Sequence, residues 1–597
     1  MRRSLSMGLL IAVLAFGGCA AGEAEGAEAV LASESVIVDE SLQLVDGVDL
    51  QYVVALVDGG AGGARVSCTF RGSLSGESAF STGDGWGGVR EPWTFLRFET
   101  VRGVFGRERE VWSSGPGRWL VRHAPGEVLA VDYRIAPLRT PVGLGNEDYY
   151  KPIICSRFCH LLGGNALLRP DSIDERRVIR ARWSWLNLPE GWQAISSWAA
   201  RDRAFVATAT FEDFRQAVFM AGPIRIVERD VKGGKLFVGI AGEQWSFGDD
   251  ELAGMTAAIV DGHRRFFSDY SQPFFAVTLL PIGEHEPRSR SLGGTGLRNS
   301  FSLFITPHFD MKAGTAGAAR LKRLLSHELF HNWNGDRVSM KEPERLVYWF
   351  SEGFTDFFSL RALARAGLMT AAEYADAFNE TLRSFYGNPK REAPNAAIAA
   401  GFWSDSEIQK LPYQRGAVVA ALVDREIRRV SAGRRNLDDL MRVLVARAES
   451  GRLFLTTEDH LATIERWTSI AFAESVRKIV VDGAIPELPG DVLGPVLELR
   501  PSEVATFDLG FEADAAFKAG AIVGVREGSA AHAAGLRNGQ RLHGYSATLG
   551  DPSQPAEMTV EIDGVLTKLA YLPRGPVRAV PQFHVVPGRE KLAANSL

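Results

Sequence analysis

The sequence predicts a multidomain α+β protein: a β-rich N-terminal domain, a mixed sheet followed by a helical bundle, and a small C-terminal module of strands and turns. Its 597 residues exceed the roughly 150 residues of a typical domain several times over. The spacing of apolar residues changes from strand-like to helical and back along the chain. With 46% hydrophobic and 23% charged residues, the composition is ordinary for a globular protein. A formal net charge of -5 gives no electrostatic basis for binding nucleic acid.

The N-terminus has the features of an export signal. Two arginines precede an apolar run over residues 7–16, which is too short for a good membrane span, and two glycines then precede Cys19. This order resembles a bacterial lipoprotein box with Phe16 in place of the usual leucine, and ordinary cleavage nearby is the alternative. We expect a signal peptide over 1–18, a small acidic tether over 19–34, and lipidation at Cys19. The protein would then be a periplasmic or cell-envelope lipoprotein, anchored to a membrane.

Residues 35–223 predict a β-sandwich-like domain. Short or alternating apolar runs such as LQYVVALV, EVLAVDYRI and FVATATF are separated by Gly, Pro and Asp clusters, which is typical of strands joined by turns. No motif in this domain indicates a chemical role. Its Cys68, Cys155 and Cys159 allow at most one disulfide, either between the last two or from Cys68 to one of them.

Residues 224–485 predict a mixed sheet followed by helices. FFAVTLLP and FSLFI are typical of buried strands. Helical spacing follows over 313–334, 344–366, 371–386, 412–430 and 436–449. A segment rich in Pro and Gly, residues 486–497, is interpreted as a linker to a module of short strands over 498–597.

The stretch HELFHNWNG, residues 327–335, carries the strongest chemical pattern. On an α-helix, His327 and His331 project from one face one turn apart, and leucines at helical spacing cover the opposite face. Two neutral imidazoles can bind zinc, and the adjacent Glu328 can take a proton from water. Gly335 suits the C-terminal end of this helix. The pattern therefore predicts a catalytic site with one zinc ion.

A third ligand is available in the next predicted helix. Two helices joined by a short loop can place Glu352 of YWFSEGFTDFF beside both histidines. Two His and one Glu leave an open position for water, as catalytic zinc requires. Asp356, one turn later, is a candidate to accept a hydrogen bond from a metal-binding imidazole, and the alternative is a solvated aspartate.

These motifs resemble the gluzincin metallopeptidases. HELFHNWNGDRVS is similar to the membrane alanyl aminopeptidase family around the zinc helix. EGFTDFF, together with LPEGWQAISSW and FEDFRQAVFMAGPIRI, is more similar to the glycyl aminopeptidase family, and the resemblance covers most of residues 185–575. It implies a thermolysin-like mixed sheet plus helical catalytic domain that hydrolyses peptides or proteins.

By matching motif, the resemblance implies roles for individual residues. His327, His331 and Glu352 would be zinc ligands and Glu328 the general base. Tyr413 of PYQRGA would stabilise the oxyanion of the tetrahedral intermediate, with Arg415 in place of the family's usual lysine.

One position departs from both families. Upstream of the zinc helix they carry a glycine-rich segment in which a glutamate binds the free amino group of the substrate. The corresponding substrate-binding segment here includes Gly294, Gly296, Leu297, Arg298 and Asn299, with arginine in place of the glutamate. A cation there would repel an α-ammonium. Three hypotheses follow: another acid holds the amine, the enzyme is an endopeptidase, or the arginine points away or binds a substrate carboxylate or carbonyl.

The C-terminal module resembles PDZ domains. FDLGFE, with Leu509, Gly510 and Phe511, is similar to their carboxylate-binding loop, and VREGSAAHAAGLRNGQRL to the strand, helix and turn that follow. Such a module would bind an extended C-terminal peptide, and a closed structural fold packed on the catalytic domain is the alternative. The functional hypotheses are an exported zinc metallopeptidase, aminopeptidase-like or endopeptidase, an inactive peptidase-fold scaffold acting through its PDZ-like domain, and a metal-dependent hydrolase of another ester or amide.

Overall fold

The structure is a computed structural model that describes residues 43–589 except positions 84, 244, 286–289, 342, 449–450 and 549. It shows a mixed α+β protein with several sheets and a helical region. The predicted signal peptide, the tether and Cys19 lie outside the described residues. Within the described residues, every helix is too short or too polar to cross a membrane.

Three sheets build the N-terminal region. Their strands are β1 Leu50–Leu56, β2 Ala64–Arg71, β3 Glu77–Ser81, β4 Leu96–Arg102, β5 Val111–Gly115, β6 Arg118–Arg122, β7 Val128–Ile135, β8 Ile153–Ile154, β9 Cys159–Leu162, β10 Arg169–Pro170, β11 Val178–Leu186, β12 Gln193–Ser196, β13 Ala204–Thr210 and β14 Val218–Gly222. The strand orders are β13-β11-β1-β2-β7-β4, β10-β3-β6-β5 and β12-β14-β9-β8. Their shared core is rich in aromatic side chains, and Trp183 stacks on Phe219 at 3.7 Å between ring centroids.

A five-stranded sheet begins the catalytic region. Its strands are β15 Arg225–Val231, β16 Gly234–Ile240, β17 Phe274–Pro281, β18 Leu292–Leu297 and β19 Ser300–Ile305. In the order β15-β16-β17-β19-β18, the glycine-rich β18 is an edge strand, and it pairs antiparallel with β19. Side chains of this sheet, including Leu280 and Phe304, pack with Ile195 and Met220 of the third N-terminal sheet, so the two regions share one core.

Helices cover the rest of the catalytic region. The helices of the chain are α1 Asn146–Tyr149, α2 Gly163–Ala166, α3 Phe211–Arg215, α4 Asp249–Phe267, α5 Ala316–Phe330, α6 Tyr348–Ser351, α7 Gly353–Arg365, α8 Ala371–Gly387, α9 Asn395–Gly401, α10 Ser406–Val430, α11 Leu437–Arg447, α12 Thr457–Trp467, α13 Ile470–Val480, α14 Ala513–Ala519 and α15 Ala530–Ala533. The helix predicted over 344–366 is divided at Glu352 into α6 and α7. The helix predicted to start at Pro412 starts earlier, at Ser406, because the Asp405 side chain caps it there. Pro412 lies inside this helix.

The C-terminal region consists of a long ribbon and a small separate core. The remaining strands are β20 Val338–Met340, β21 Leu453–Leu455, β22 Leu497–Phe507, β23 Leu542–Ser546, β24 Ala556–Ile562, β25 Val565–Tyr571 and β26 Arg574–Val585. β22 and β26 form the ribbon, which lies on α8, where the Asn379 side chain bonds the backbone of Phe583 at 2.6 and 2.8 Å. Val492 and Val496, in the predicted linker, are buried in the catalytic core, so this segment is packed rather than free.

The three described cysteines are free thiols. The Cys68 Sγ donates to the carbonyl of Leu168 at 3.7 Å, and burial raises the pKa of this thiol to about 12. None of the three disulfides considered from the sequence is formed.

Candidate metal centre

Helix α5 presents both histidines of the H-E-x-x-H motif. Thr315 caps its N-terminus by accepting a hydrogen bond from the Ala318 amide at 3.2 Å. Leu321, Leu325 and Leu329 are buried in the catalytic core. The helix ends at Phe330, four residues before the predicted end, and His331 is its C-terminal cap.

Three buried donor atoms converge between α5 and the start of α7. The Nε2 atoms of His327 and His331 lie 3.0 Å apart, and they lie 3.3 and 3.4 Å from the same Oε2 of Glu352. Ligands at zinc bond lengths of roughly 2.0–2.1 Å and tetrahedral angles would stand about 3.3 Å from one another. The donor set and its spacing therefore fit one zinc ion.

The other ring nitrogen of each histidine is also engaged. His327 Nδ1 contacts Asp356 Oδ1 at 2.7 Å, and His331 Nδ1 contacts the carbonyl of Asn334 at 2.8 Å. An N–H on each Nδ1 leaves the Nε2 lone pairs directed at the common centre. Asp356 thus lies where the sequence analysis expected an imidazole partner.

The carboxylates make this centre favourable for positive charge. Burial lowers the pKa of His327, but Asp356 and Glu352 outweigh burial and raise it to about 10. Burial raises the pKa of Glu352, but His331 and His327 outweigh burial and lower it to about 2. A field that favours an imidazolium also favours a bound cation.

Glu328 lies on the same helix and faces the glycine-rich edge strand. It is buried, and its Oε2 accepts a hydrogen bond from the Gly296 amide at 3.1 Å. A Cβ on Gly296 would stand 3.5 Å from this carboxylate, so the backbone of β18 runs close beside it. This amide fixes the orientation of the carboxylate at the edge of the metal centre.

Tyr413 of α10 also faces the centre. Its ring lies 6.2 Å from the His327 ring between centroids. Burial, followed by the charges of Glu352 and Asp356, raises the pKa of Tyr413 well above its usual value, so the phenol stays a hydrogen-bond donor. Arg415 has a different surrounding: it is buried and donates to the carbonyls of Arg391 and Ala393, each at 2.7 Å.

Arg298 is fixed by two carboxylates. It lies in the β18–β19 turn beside Asn299, which has a positive φ of 50°. Its Nη1 is 3.1 Å from Asp336, and its Nε is 3.4 Å from Asp213 of α3 in the N-terminal region. The arginine is thus held at the junction of the two regions, about one-third exposed at 32%.

The remaining residues of the predicted substrate segment lie along β18. Leu297 is buried, and the Gly294 carbonyl accepts a hydrogen bond from Tyr150 at 3.0 Å. A Cβ on Gly294 would overlap the ring of Phe301 on the neighbouring strand, so only glycine fits there.

The predicted PDZ loop is packed into the C-terminal core. Leu509 and Phe511 are buried there, and the Leu509 carbonyl accepts from the Tyr571 hydroxyl at 2.7 Å. The amide of Gly510 donates to Asp508 at 2.8 Å. Helix α14 follows the loop directly.

Sequence reasoning missed two features of the centre. Asn334, four positions after the end of α5, donates to the carbonyls of Phe350 and Ser351, each at 3.2 Å, which ties the end of α5 to α6. Gly353 and Gly416 meet where α7 crosses α10, and a Cβ on either would overlap the backbone of the other. The sequence signals for this helix crossing were Gly353, directly after Glu352, and Gly416, three positions after Tyr413.

The buried group of His327, His331 and Glu352 is the ligand set that the resemblance to gluzincin metallopeptidases implied. Residues 320–410 match the family model of the M61 glycyl aminopeptidase. An aminopeptidase N family protein from Idiomarina loihiensis is similar with a TM-score of 0.68 at 15% identity, covering 92% of this chain and 100% of that chain, which shows the fold. The predicted resemblance to gluzincin aminopeptidases is therefore confirmed.

An M1 zinc metallopeptidase from Deinococcus radiodurans is similar with a TM-score of 0.45 at 17% identity, covering 74% of this chain and 94% of that chain. A mutant M1 zinc metallopeptidase from the same organism, bound to a Tyr-Ser-Ala substrate, also has a TM-score of 0.45, with 15% identity and coverage of 74% and 96%. No curated protein matches the chain.

Proposed function

We propose that this protein is an exported zinc-dependent metallopeptidase with aminopeptidase-like action. The observation that carries the proposal is the convergence of the His327, His331 and Glu352 donor atoms within 4.8 Å of one another, with Glu328 and Tyr413 beside them. The match to the glycyl aminopeptidase model over 320–410 supports the same activity at the family level.

Each residue of the centre has its own role in peptide hydrolysis. His327, His331 and Glu352 would hold zinc, which when bound would supply Lewis acidity toward water and the scissile carbonyl. Glu328 takes the proton from water, held in position by the Gly296 amide. The protonated hydroxyl of Tyr413 donates to the oxyanion that develops. The edge strand β18 can pair with an extended peptide.

Charge pairing at Arg298 is compatible with a substrate that has a free N-terminus. Arg298 and Arg452 lie among three carboxylates: Asp336 contacts both, Asp213 contacts Arg298, and Glu212 contacts Arg452. Two arginines against three carboxylates leave one net negative charge at this end of the site. We infer that this cluster does not repel an α-ammonium as an unpaired arginine would.

Replacement of the general base tests the peptidase activity. Glu328→Gln should lower kcat by at least about 10²–10⁴-fold, since it removes proton transfer. Its zinc content should stay unchanged, because the three ligands remain. Glu380→Gln, an exposed glutamate paired with Arg323, is the matched control and should retain activity. Full activity in Glu328→Gln would refute the proposed base.

A peptide library offered both with free and with N-acetylated N-termini tests the specificity. Cleavage of free N-termini alone, mapped by mass spectrometry, is the expected result. Equal cleavage of both forms would refute aminopeptidase action and favour an endopeptidase. A zinc-loaded protein inert on both libraries would instead favour the scaffold hypothesis.

Export and lipid attachment at Cys19 are a separate part of the proposal. They rest on the N-terminal pattern of the sequence. The mass of the N-terminal peptide of the mature protein tests them: a diacylglyceryl-modified Cys19 is expected. An unmodified N-terminus near this position would show ordinary cleavage instead.

A further inference from the structure

Two large apolar side chains project from loops of the N-terminal region. Leu74 lies between β2 and β3 and is 83% exposed. Phe105 lies between β4 and β5 and is 91% exposed. Among the large apolar side chains of the described residues, these two have the highest exposed fractions. Isolated exposed apolar residues are common in proteins, so Leu74 and Phe105 indicate a binding surface only if they lie close together.

Strand register places both loops at one end of the six-stranded sheet. Leu50, the first residue of β1, pairs with Phe70 near the end of β2, and Arg102 at the end of β4 pairs with Ala130 near the start of β7. Because β2 and β7 are antiparallel, with Arg71 opposite Val128, the end of β4 lies at the same end of the sheet as the start of β1. β7 lies between β2 and β4 and neighbouring strands are about 4.8 Å apart, so the two loops leave this end of the sheet from strands about 10 Å apart.

The two loops rest on a common turn at residues 124–127. The Gly126 amide donates to the Ser73 carbonyl at 3.1 Å, beside Leu74. Arg109, just beyond the Phe105 loop, binds the Glu127 carboxylate at 3.1 and 3.2 Å. These contacts hold both loops in place, so Leu74 and Phe105 form a defined surface.

Phe105 is held outward by its backbone. Its φ of 62° lies in the left-handed region, which is unusual for a bulky side chain. Two further apolar residues at the same end of the sheet are exposed, Val45 at 40% and Val178 at 62%. We call the surface formed by Val45, Leu74, Phe105 and Val178 the apolar end.

The N-terminal segment enters the sheet at the apolar end. Residues 43–49 lead directly into β1, whose first residue lies there. Cys19 lies 24 positions before Gln43, and a chain of that length can reach at most roughly 80 Å. A membrane that holds the N-terminus would therefore lie within reach of this surface.

We propose that the apolar end is a docking surface for a phospholipid bilayer, with Leu74 and Phe105 entering the interfacial layer. The exposed charges near it are balanced, since Arg107 adjoins Glu108 and Arg176 lies close to Asp174. Apolar contact therefore drives docking, and zwitterionic lipid suffices. The proposal rests on the proposed attachment of the N-terminus to a membrane and not on the peptidase chemistry.

A polarity-sensitive NBD label tests the contact in the full chain. Leu74→Cys is labelled in a Cys19→Ser, Cys155→Ser background and mixed with phosphatidylcholine vesicles. The matched control is Val565→Cys, a 63% exposed position on β25 of the C-terminal region. We expect a blue shift and protection from dithionite at position 74 only, unchanged by added salt. Adding Phe105→Ser should lower the protected fraction about tenfold, since the Phe ring supplies much of the buried apolar area.

Three results would overturn the proposal. Equal dithionite quenching at positions 74 and 565 would show that this end stays in water. A shift that rises with protein concentration and needs no vesicles would show self-association through the same surface. A shift that needs anionic lipid and disappears with salt would show electrostatic attachment instead of apolar docking.

Discussion

Tyr413 shows how one side chain acquires its chemistry from its surroundings. A phenol in water loses its proton near pH 10. Here burial and the nearby carboxylates of Glu352 and Asp356 raise the pKa of Tyr413 well above that value. The hydroxyl therefore keeps its proton over the whole working range and can donate to a developing negative charge. The charges that favour a cation at the metal centre thus also keep the oxyanion donor protonated.

Tyr413→Phe should lower kcat by about 10²–10³-fold, with small changes in KM and zinc content, because the hydroxyl acts mainly in the transition state. Steady-state kinetics with a peptide substrate and zinc analysis measure this. Tyr386→Phe makes the same chemical change on α8, where the hydroxyl donates to the Pro486 carbonyl at 2.9 Å, and should leave kcat unchanged. An unchanged kcat in Tyr413→Phe would remove this residue from the mechanism.

At the scale of the elements, the crossing of α7 and α10 aligns the third metal ligand with the tyrosine. Gly353 follows Glu352, and Gly416 follows Tyr413 by three residues. The two glycines let the helix backbones touch, and a Cβ on Gly416 would overlap the carbonyl of Trp349. The helix predicted from the sequence as continuous over 344–366 is divided at Glu352, and Gly416 lies against the backbone on both sides of this division, at Trp349 and Gly353.

Gly416→Ala should destabilise the protein by about 1–3 kcal/mol and weaken zinc binding, because the two helices must separate. Urea unfolding and zinc competition measure the two effects. The control is Gly254→Ala in α4, where an added Cβ meets nothing within 4 Å. That change should be neutral or stabilising by up to about 1 kcal/mol, from helix propensity. Equal stability of the two variants would contradict the importance of the helix crossing.

At the scale of the whole molecule, the N-terminal and catalytic regions act as one packed body. His160 of β9 is buried at their contact, and its Nε2 lies 3.3 Å from the Ser302 hydroxyl of β19. Burial lowers the pKa of His160 to about 3. Because the unfolded chain binds a proton at about pH 6.5, stability from this residue is present above that pH and declines as the pH falls towards 3.

His160→Phe should therefore reduce the pH dependence of stability below about pH 6.5 by up to about 1.4 kcal/mol per pH unit. Urea midpoints measured at several pH values give this slope. Loss of the contact with Ser302 lowers the stability at every pH and does not affect the slope. His263 and His460, whose pKa values burial lowers to about 4 and about 3, keep part of the dependence in the variant. A slope equal to that of the parent protein would contradict this account.

The local pattern of residues was sufficient for the main features of the centre. Residues four positions apart share one face of a helix, so the spacing of His327 and His331 predicted that both face one cleft. Asp356 was expected one turn after Glu352 from the same period, and Glu352 was expected beside the histidines because a short loop joins the two predicted helices. Burial of leucines on the far side of α5 agrees with the apolar spacing of that helix. The spacing along each helix depends on neighbours within a few turns, which a sequence displays directly, whereas the meeting of Glu352 with the histidines depends on how the helices pack.

Only the tertiary structure determined the charge partners of Arg298 and the packing of the C-terminal loop. Asp213, which binds Arg298, lies 85 positions earlier in a different region, and no periodicity relates the two. The packing of the loop around Gly510 depends on Tyr571, which lies 62 positions after Leu509 in the chain. The sequence by itself determined the zinc-binding residue types and their helical spacing, because local geometry fixes both. The electrostatic surroundings of the substrate depend on charges brought together by long-range packing, and these the tertiary structure alone decided.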